Sequence, residues 1–195
     1  MSVLPFPAAS AGIGASLAGL AERHTGEIAH ASWFAATLEP LTLADQADAV
    51  SVLHGFHHQP LPIRAVDSWS QAKSLLTGSS WSIAWWDGEE AERRRLAALA
   101  EARHGSTPML EALTRITEVA SDTVHGAASI ALARTGLADP GLSRAAAGAA
   151  TESCYRAGLV EAAGLDSSHP FATRHRLFLG GRWPLGVIGD AYWVV

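Results

Sequence analysis

The sequence has little cysteine and little lysine, and each shortage narrows what the protein can be. Cys154 is the single cysteine among 195 residues, which excludes an internal disulfide framework and fits a reducing compartment. Lysine occurs once, at Lys73, against 13 arginines, a bias typical of GC-rich bacterial genomes. No uninterrupted apolar run approaches the roughly 18 residues that a membrane-spanning helix needs.

Charge and the N-terminal residues exclude further classes of protein. A net charge of −5 lacks the concentrated cationic face that a nucleic-acid binder requires. The N-terminus has no cationic region, and Pro5 and Pro7 interrupt its apolar residues, so a secretory signal peptide is not predicted. These observations predict a cytoplasmic protein that binds neither nucleic acid nor membrane.

Most of the sequence has apolar residues at the spacing of amphipathic helices. The apolar fraction of 48% is a globular value, and a chain of this length can bury one substantial core. Thr42 and Asp45 have the spacing of a capping box, and a stripe of Leu43, Ala47, Val50 and His54 follows them. Helices are predicted over residues 10–23, 42–54, 69–76, 87–104, 108–135 and 140–163.

The longest predicted helix has one apolar face, which includes Leu113, Ile116 and Val124, and an opposite polar face. The last helix begins at Asp139-Pro140, an N-cap followed by proline at the first helical position. Small residues dominate this helix, which places it inside the bundle. Cys154 lies in its middle, where an inert, buried thiol is expected.

The end of the chain has a different pattern. β-forming residues follow position 178, and Gly189-Asp190 has the composition of a hairpin turn between 185–188 and 191–195. Alternating large residues at Trp81, Ile83 and Trp85 predict a further strand. We therefore predict one mostly α domain over 1–195: a compact bundle of five to six helices over 1–165, and a β-hairpin extension over 166–195, with two or three antiparallel strands.

The hairpin leads to the first functional hypothesis. An edge strand has unpaired backbone groups that accept a peptide, and Trp, Tyr and Arg dominate interaction hot spots. The protein would be a non-catalytic accessory subunit of a bacterial enzyme complex, without a cofactor, that binds a partner protein or peptide. The alternative is that the aromatic residues only pack the hairpin onto the helices. The predicted partner-binding residues are Arg174, Arg176, Phe178, Arg182, Trp183, Tyr192 and Trp193.

The histidines lead to the second hypothesis, a metal-dependent enzyme. His54 and His57 are three residues apart on the predicted stripe, with His58 beside them, and imidazole pairs at this spacing bind zinc, iron or copper. Asp122 and His125 form a carboxylate-x-x-His pair, a spacing found in di-metal bundles. The same spacing recurs at 27–30, 101–104 and 166–169. The last pair lies in a predicted loop, and the pair at 101–104 should lie roughly 25 Å from Asp122 and His125 along the helices, so only the pair at 27–30 could meet them.

Overall fold

The computed structural model describes residues 16–57 and 59–195; the first residues of the predicted helix over 10–23 lie outside this part. The described chain is mostly helical, as predicted, with one helix more than the upper prediction of six. Its elements are α1 (Leu17–His30), α2 (Leu43–Gly55), β1 (Ile63–Ala65), α3 (Trp69–Thr77), α4 (Ile83–His104), α5 (Ser106–Arg134), α6 (Pro140–Ala162), α7 (Pro170–Leu179), β2 (Pro184–Ile188) and β3 (Ala191–Val194).

Side-chain N-caps close in sequence determine where these helices begin. The Thr42 hydroxyl accepts a hydrogen bond from the Asp45 N–H at 3.1 Å, and the Asp45 carboxylate accepts one from the Thr42 N–H at 2.8 Å, which completes the predicted capping box. The Asp139 carboxylate caps α6 by accepting from the Leu142 N–H at 3.0 Å. Pro140 then occupies the first helical position, where its missing N–H has no cost.

Helices α5 and α6 form the centre of the bundle, and α1 packs against both. The predicted face of α5 is buried, including Leu113, Ile116 and Val124. A Cβ at Gly158 of α6 would lie 3.0 Å from the Ile116 side chain, so the absence of a side chain there allows the close approach of the two helices. Cys154 of α6 is buried as expected, and burial raises the pKa of its thiol to about 12.

The small sheet has the strand order β1-β3-β2. Strands β2 and β3 form the predicted antiparallel hairpin, and Gly189 adopts a positive φ of 63° at its turn. The third strand is β1, which pairs in parallel with β3, so Ile63 lies opposite Tyr192. The sheet is therefore mixed rather than wholly antiparallel.

The prediction of a strand around Trp81–Trp86 is wrong beyond a single bridge between Trp81 and Ile188. Helix α4 begins at Ile83, four residues before the predicted start at 87, because the Ser82 hydroxyl accepts from the Trp85 N–H at 3.2 Å and serves as the N-cap. Ile83 then faces solvent while Trp85 is buried.

The buried face of α2 also differs from the prediction. Leu43, Val50 and His54 lie on the surface, whereas Val52 and Leu53 are buried. Both faces of this helix contain apolar residues, and contacts with α7 and β1 determine which face is covered. Among the described residues, no helix combines the length and the apolar character that a membrane crossing requires.

The segment assigned to a β-hairpin extension contains a further helix, α7. The His169 ring accepts from the Phe171 N–H at 3.2 Å, and Pro170 occupies the first helical turn. Helix α7 packs against α2 and α6, so the end of the chain is part of the main core.

Candidate functional site

The hairpin aromatics that were expected to meet a partner lie inside the fold. Phe178, Trp183 and Tyr192 are all at most 2% exposed. The Trp183 ring lies 6.0 Å from that of Trp69, and the Tyr192 ring lies 5.7 Å from that of Trp85. Trp183 and Tyr192 therefore pack the hairpin onto the helices, which is the alternative left open by the sequence, and Phe178 is itself a residue of α7.

All three arginines in this set have contacts within the fold, and exposed Arg176 donates to the Ser167 carbonyl oxygen at 2.7 Å and to the Asp48 carboxylate at 2.9 Å. Arg182 is 2% exposed and donates to the carbonyl oxygens of Ala36, Glu39 and Pro40 and to the Asp45 carboxylate. The Arg174 guanidinium donates to the carboxylate of buried Glu89 at 2.5 Å. Their contacts hold the loop before α2 and the helix α4 against the end of the chain.

The exposed remainder of the predicted partner surface is small. Arg176 is exposed and Trp193 is half-buried. The outer edge of β2 is partly covered, because Gly189 donates to Ser80 O at 2.8 Å and Ser82 donates to Val187 O at 3.2 Å. A peptide therefore has little of the β2 edge on which to add a strand.

The metal ligands predicted from His54, His57, Asp122 and His125 lie on the surface. Among the described residues, no group of three or more metal-ligating side chains includes any of them. The helix ends at Gly55, and His57 follows in a turn with a φ of 54°, so the helical spacing between the two histidines is lost. His58 lies outside the described residues.

A different trio of ligating side chains does converge. His24 and Glu27 project from successive turns of α1, and His175 projects from α7. One ligating atom of each lies within 4.8 Å of the other two. Both histidines are buried, and Glu27 is exposed at the rim.

Each histidine uses one ring nitrogen in a hydrogen bond and leaves the other without a partner. His24 Nε2 lies 3.2 Å from Glu161 Oε2, and His175 Nδ1 lies 2.9 Å from Ser153 Oγ. His24 Nδ1 and His175 Nε2 are buried and have no hydrogen-bond partner among the described residues. Because buried polar atoms are normally paired, two unpaired nitrogens in one cluster require an explanation.

The electrostatics suit a cation. Burial, and then the neighbouring His24, lower the pKa of His175 to about 3, so its ring is neutral near pH 7 and has a lone pair to donate. Glu27 and Glu161 supply negative charge nearby, and Arg23 pairs with Glu161 on the side away from His24. Two imidazoles and one carboxylate form a ligand set that zinc commonly uses.

A cavity of about 540 Å³ opens over this trio. Its polar wall includes all three ligating residues together with Glu161 and Arg176, and its apolar wall is formed by Ala157, Val160, Leu165, Ala172 and Leu179. A volume of this size accommodates a small organic molecule. The trio therefore lies where a bound molecule could reach it.

The sequence did contain a partial signal for this site. His24 and Glu27 are three residues apart, but the carboxylate-x-x-His spacing pairs Glu27 with His30 instead. His30 Nδ1 contacts the Gly26 carbonyl oxygen at 2.8 Å, away from the trio. The residue that no local pattern could supply is His175, because only the packing of α7 brings it to α1.

A second buried polar cluster is structural. Both oxygens of Glu89 are occupied, one by Arg156 and one by Arg174, each at 2.5 Å, and Arg156 also pairs with Glu152 at 2.7 Å. The charges of these four side chains balance. The cluster joins α4, α6 and α7 in the interior.

Comparison with family models, curated proteins and solved structures found no match.

Proposed function

We propose that the protein is a metal-dependent enzyme in which His24, Glu27 and His175 hold a divalent transition metal. Zinc is the metal that this ligand set favours most. The observation that carries the proposal is the convergence of one ligating atom from each of the three side chains, in a cluster where each histidine also has a buried ring nitrogen without a hydrogen-bond partner. In a purely structural histidine pair, both ring nitrogens would be paired with protein groups or with water. A metal would satisfy both nitrogens at once.

The spacing of the ligating atoms needs only a local adjustment. Zinc binds nitrogen and oxygen at about 2.0–2.2 Å, so neighbouring ligands of a tetrahedral ion lie about 3.4 Å apart. The three atoms lie within 4.8 Å of one another, and Glu27 is exposed, so its side chain can rotate towards the rings. The two histidines are held by their own hydrogen bonds to Glu161 and Ser153.

An enzyme is favoured over a structural metal site because three protein ligands face a cavity. Structural zinc sites use four protein ligands, whereas catalytic sites use three and keep one position open. A zinc ion there would supply Lewis-acid activation of water or of a carbonyl group, which is the chemistry of hydrolysis. The apolar wall would exclude bulk water from part of a bound substrate, and Arg176 lies on the polar side.

The first test is metal binding by purified, untagged protein. We expect one zinc per chain by elemental analysis after dialysis, and its loss in His24→Ala and His175→Ala. The matched control is the double variant His54→Ala/His57→Ala, which changes two exposed histidines and should retain the zinc. Zinc binding that survives both site substitutions, or none in the wild-type protein, would contradict the proposal.

The second test asks whether the site has an open position. The cobalt(II)-substituted protein should show a visible absorption spectrum that changes when azide is added, because azide can occupy a free coordination position. A cobalt spectrum insensitive to azide would indicate a closed structural site and would exclude the enzyme.

Partner binding remains a second candidate on narrower grounds. The outer edge of β1 has no neighbouring strand among the described residues, and exposed Arg64 lies 5.6 Å above the Trp193 ring beside it. Deleting residues 177–195 would remove core side chains and unfold the protein, so it cannot test this idea. Arg64→Glu should instead weaken capture of any specific partner while leaving helicity intact; equal capture by both proteins would oppose it.

A further inference from the structure

We propose that Glu161 and Ser153 are positioning residues that determine which ring nitrogen His24 and His175 present to the metal. This inference rests on the proposed function and adds the residues behind the ligands. Metal-binding histidines usually donate their second N–H to a carboxylate or another oxygen, which fixes the tautomer and the ring orientation. Both histidines of the trio have such a contact.

The contact to His24 assigns its tautomer. A carboxylate only accepts hydrogen bonds, so Glu161 Oε2, at 3.2 Å, requires the proton to be on His24 Nε2. The lone pair of the neutral ring is then on Nδ1, the buried nitrogen that has no partner. Arg23 donates to the other Glu161 oxygen and thereby holds the carboxylate in place.

The contact to His175 is compatible with the complementary arrangement, because the Ser153 hydroxyl oxygen can accept from Nδ1 as well as donate to it. When His175 Nδ1 donates to Ser153 Oγ, at 2.9 Å, the lone pair is on Nε2, which is likewise buried and unpaired. Ser153 is 5% exposed, so water does not compete for this contact. The two lone pairs on the two rings then belong to the atoms that have no other partner.

One rigid element holds both contacts. Ser153 and Glu161 are both on α6, eight residues apart, so they lie two turns from each other on similar sides of the helix. Helix α6 packs against α1 and against α7, which provide the ligands. A central helix therefore orients ligands from two peripheral ones.

Nitrogen-resolved NMR of the imidazole rings in the metal-free wild-type protein tests the assignment directly. We expect His24 to have its proton on Nε2 and His175 on Nδ1. The inverse tautomer at either ring would overturn the inference without reference to any metal measurement.

Zinc affinity measured by competition with a chromophoric chelator provides the second readout. Glu161→Ala should weaken binding about 10–100-fold, whereas Glu161→Gln, whose amide oxygen can still accept from Nε2, should recover part of the loss. Ser153→Ala should also weaken binding. Glu118→Ala on the exposed face of α5 is the control and should leave the affinity unchanged.

The outcomes separate the two proposals. Wild-type zinc binding with unchanged affinity in Glu161→Ala and Ser153→Ala would overturn the positioning roles and leave the proposed function standing. Wild-type protein that binds no zinc would overturn both. Thermal unfolding of each variant shows whether a lost affinity reflects a lost fold, and the partial recovery in Glu161→Gln is a pattern that general destabilisation does not produce.

Discussion

Replacing Glu89 by glutamine should destabilise the protein more than any other change of a single functional group in the buried ion cluster. The Glu89 side chain is 2% exposed and accepts from Arg156 Nη1 and Arg174 Nη1, each at 2.5 Å. Glutamine has nearly the same shape, so the substitution removes the charge and leaves the packing. Two guanidinium groups then remain inside the bundle, with half-exposed Glu152 as their nearest counter-charge.

The expected magnitude follows from the burial of these charges. Breaking a buried ion pair by removing one partner costs about 3–5 kcal/mol, because the remaining charge is left uncompensated in a low-dielectric interior. For a chain of this length, 1 kcal/mol corresponds to about 2–4 °C in Tm. Glu89→Gln should therefore lower Tm by about 6–20 °C.

Thermal unfolding followed by circular dichroism measures this shift, and Glu90→Gln provides the matched control on the same helix. Glu90 pairs with Arg93 and Arg94 at the surface, and its hydrogen bonds with Arg93 and Arg94 lower its pKa to about 2. Water can replace these contacts, so Tm should change little. If Glu89→Gln were as mild as the control, the buried cluster would be hydrated or compensated, and the reasoning would be refuted.

Four further predictions concern the packing of the chain. Gly181→Ala should strongly lower the free energy of unfolding measured in urea, because φ is +88° and the new Cβ would lie 2.8 Å from a backbone nitrogen. Gly88→Ala, in open space within α4, should raise that free energy by about 0.5–1 kcal/mol. Arg182→Lys should speed hydrogen exchange of residues 32–41, because each carbonyl oxygen that loses its guanidinium donor destabilises the closed loop by about 1–3 kcal/mol. Unchanged exchange would show that the Arg182 guanidinium does not hold this loop. Cys154 should react with maleimide only after unfolding; rapid labelling of the native protein would show that the thiol is accessible.

The sequence predicted the features that depend on neighbouring residues. The capping box at Thr42, the Asp139-Pro140 start of α6 and the apolar face of α5 each follow from contacts within one or two turns. The hairpin was predictable for the same reason, since its turn is two residues long and its strands are adjacent in sequence.

The features it did not predict depend on distant parts of the chain. Strand β1 has three residues and no periodicity of its own, and it exists because it pairs with β3 at the other end of the sequence. Helix α2 has apolar residues on two sides, and only its neighbours decide which side is buried.

The candidate site fails to appear in the sequence for a related reason. His24 and Glu27 share one helix, but histidine and carboxylate also lie three residues apart, in the opposite order, at 27/30, 101/104, 122/125 and 166/169. What distinguishes this pair is the arrival of His175 from α7 and the orphaned nitrogen on each ring, both of which are properties of the packed fold. The histidines that looked most suggestive in sequence, His54 and His57, are exposed.

The central claim is that a metal binds between α1 and α7, and anomalous X-ray scattering from crystals soaked in zinc tests it most directly. We predict one strong peak at zinc-ligand distance, about 2.0–2.2 Å, from His24 Nδ1, His175 Nε2 and a Glu27 oxygen. A zinc peak only at His54, His57 or another surface histidine, with none between these three side chains, would contradict the account.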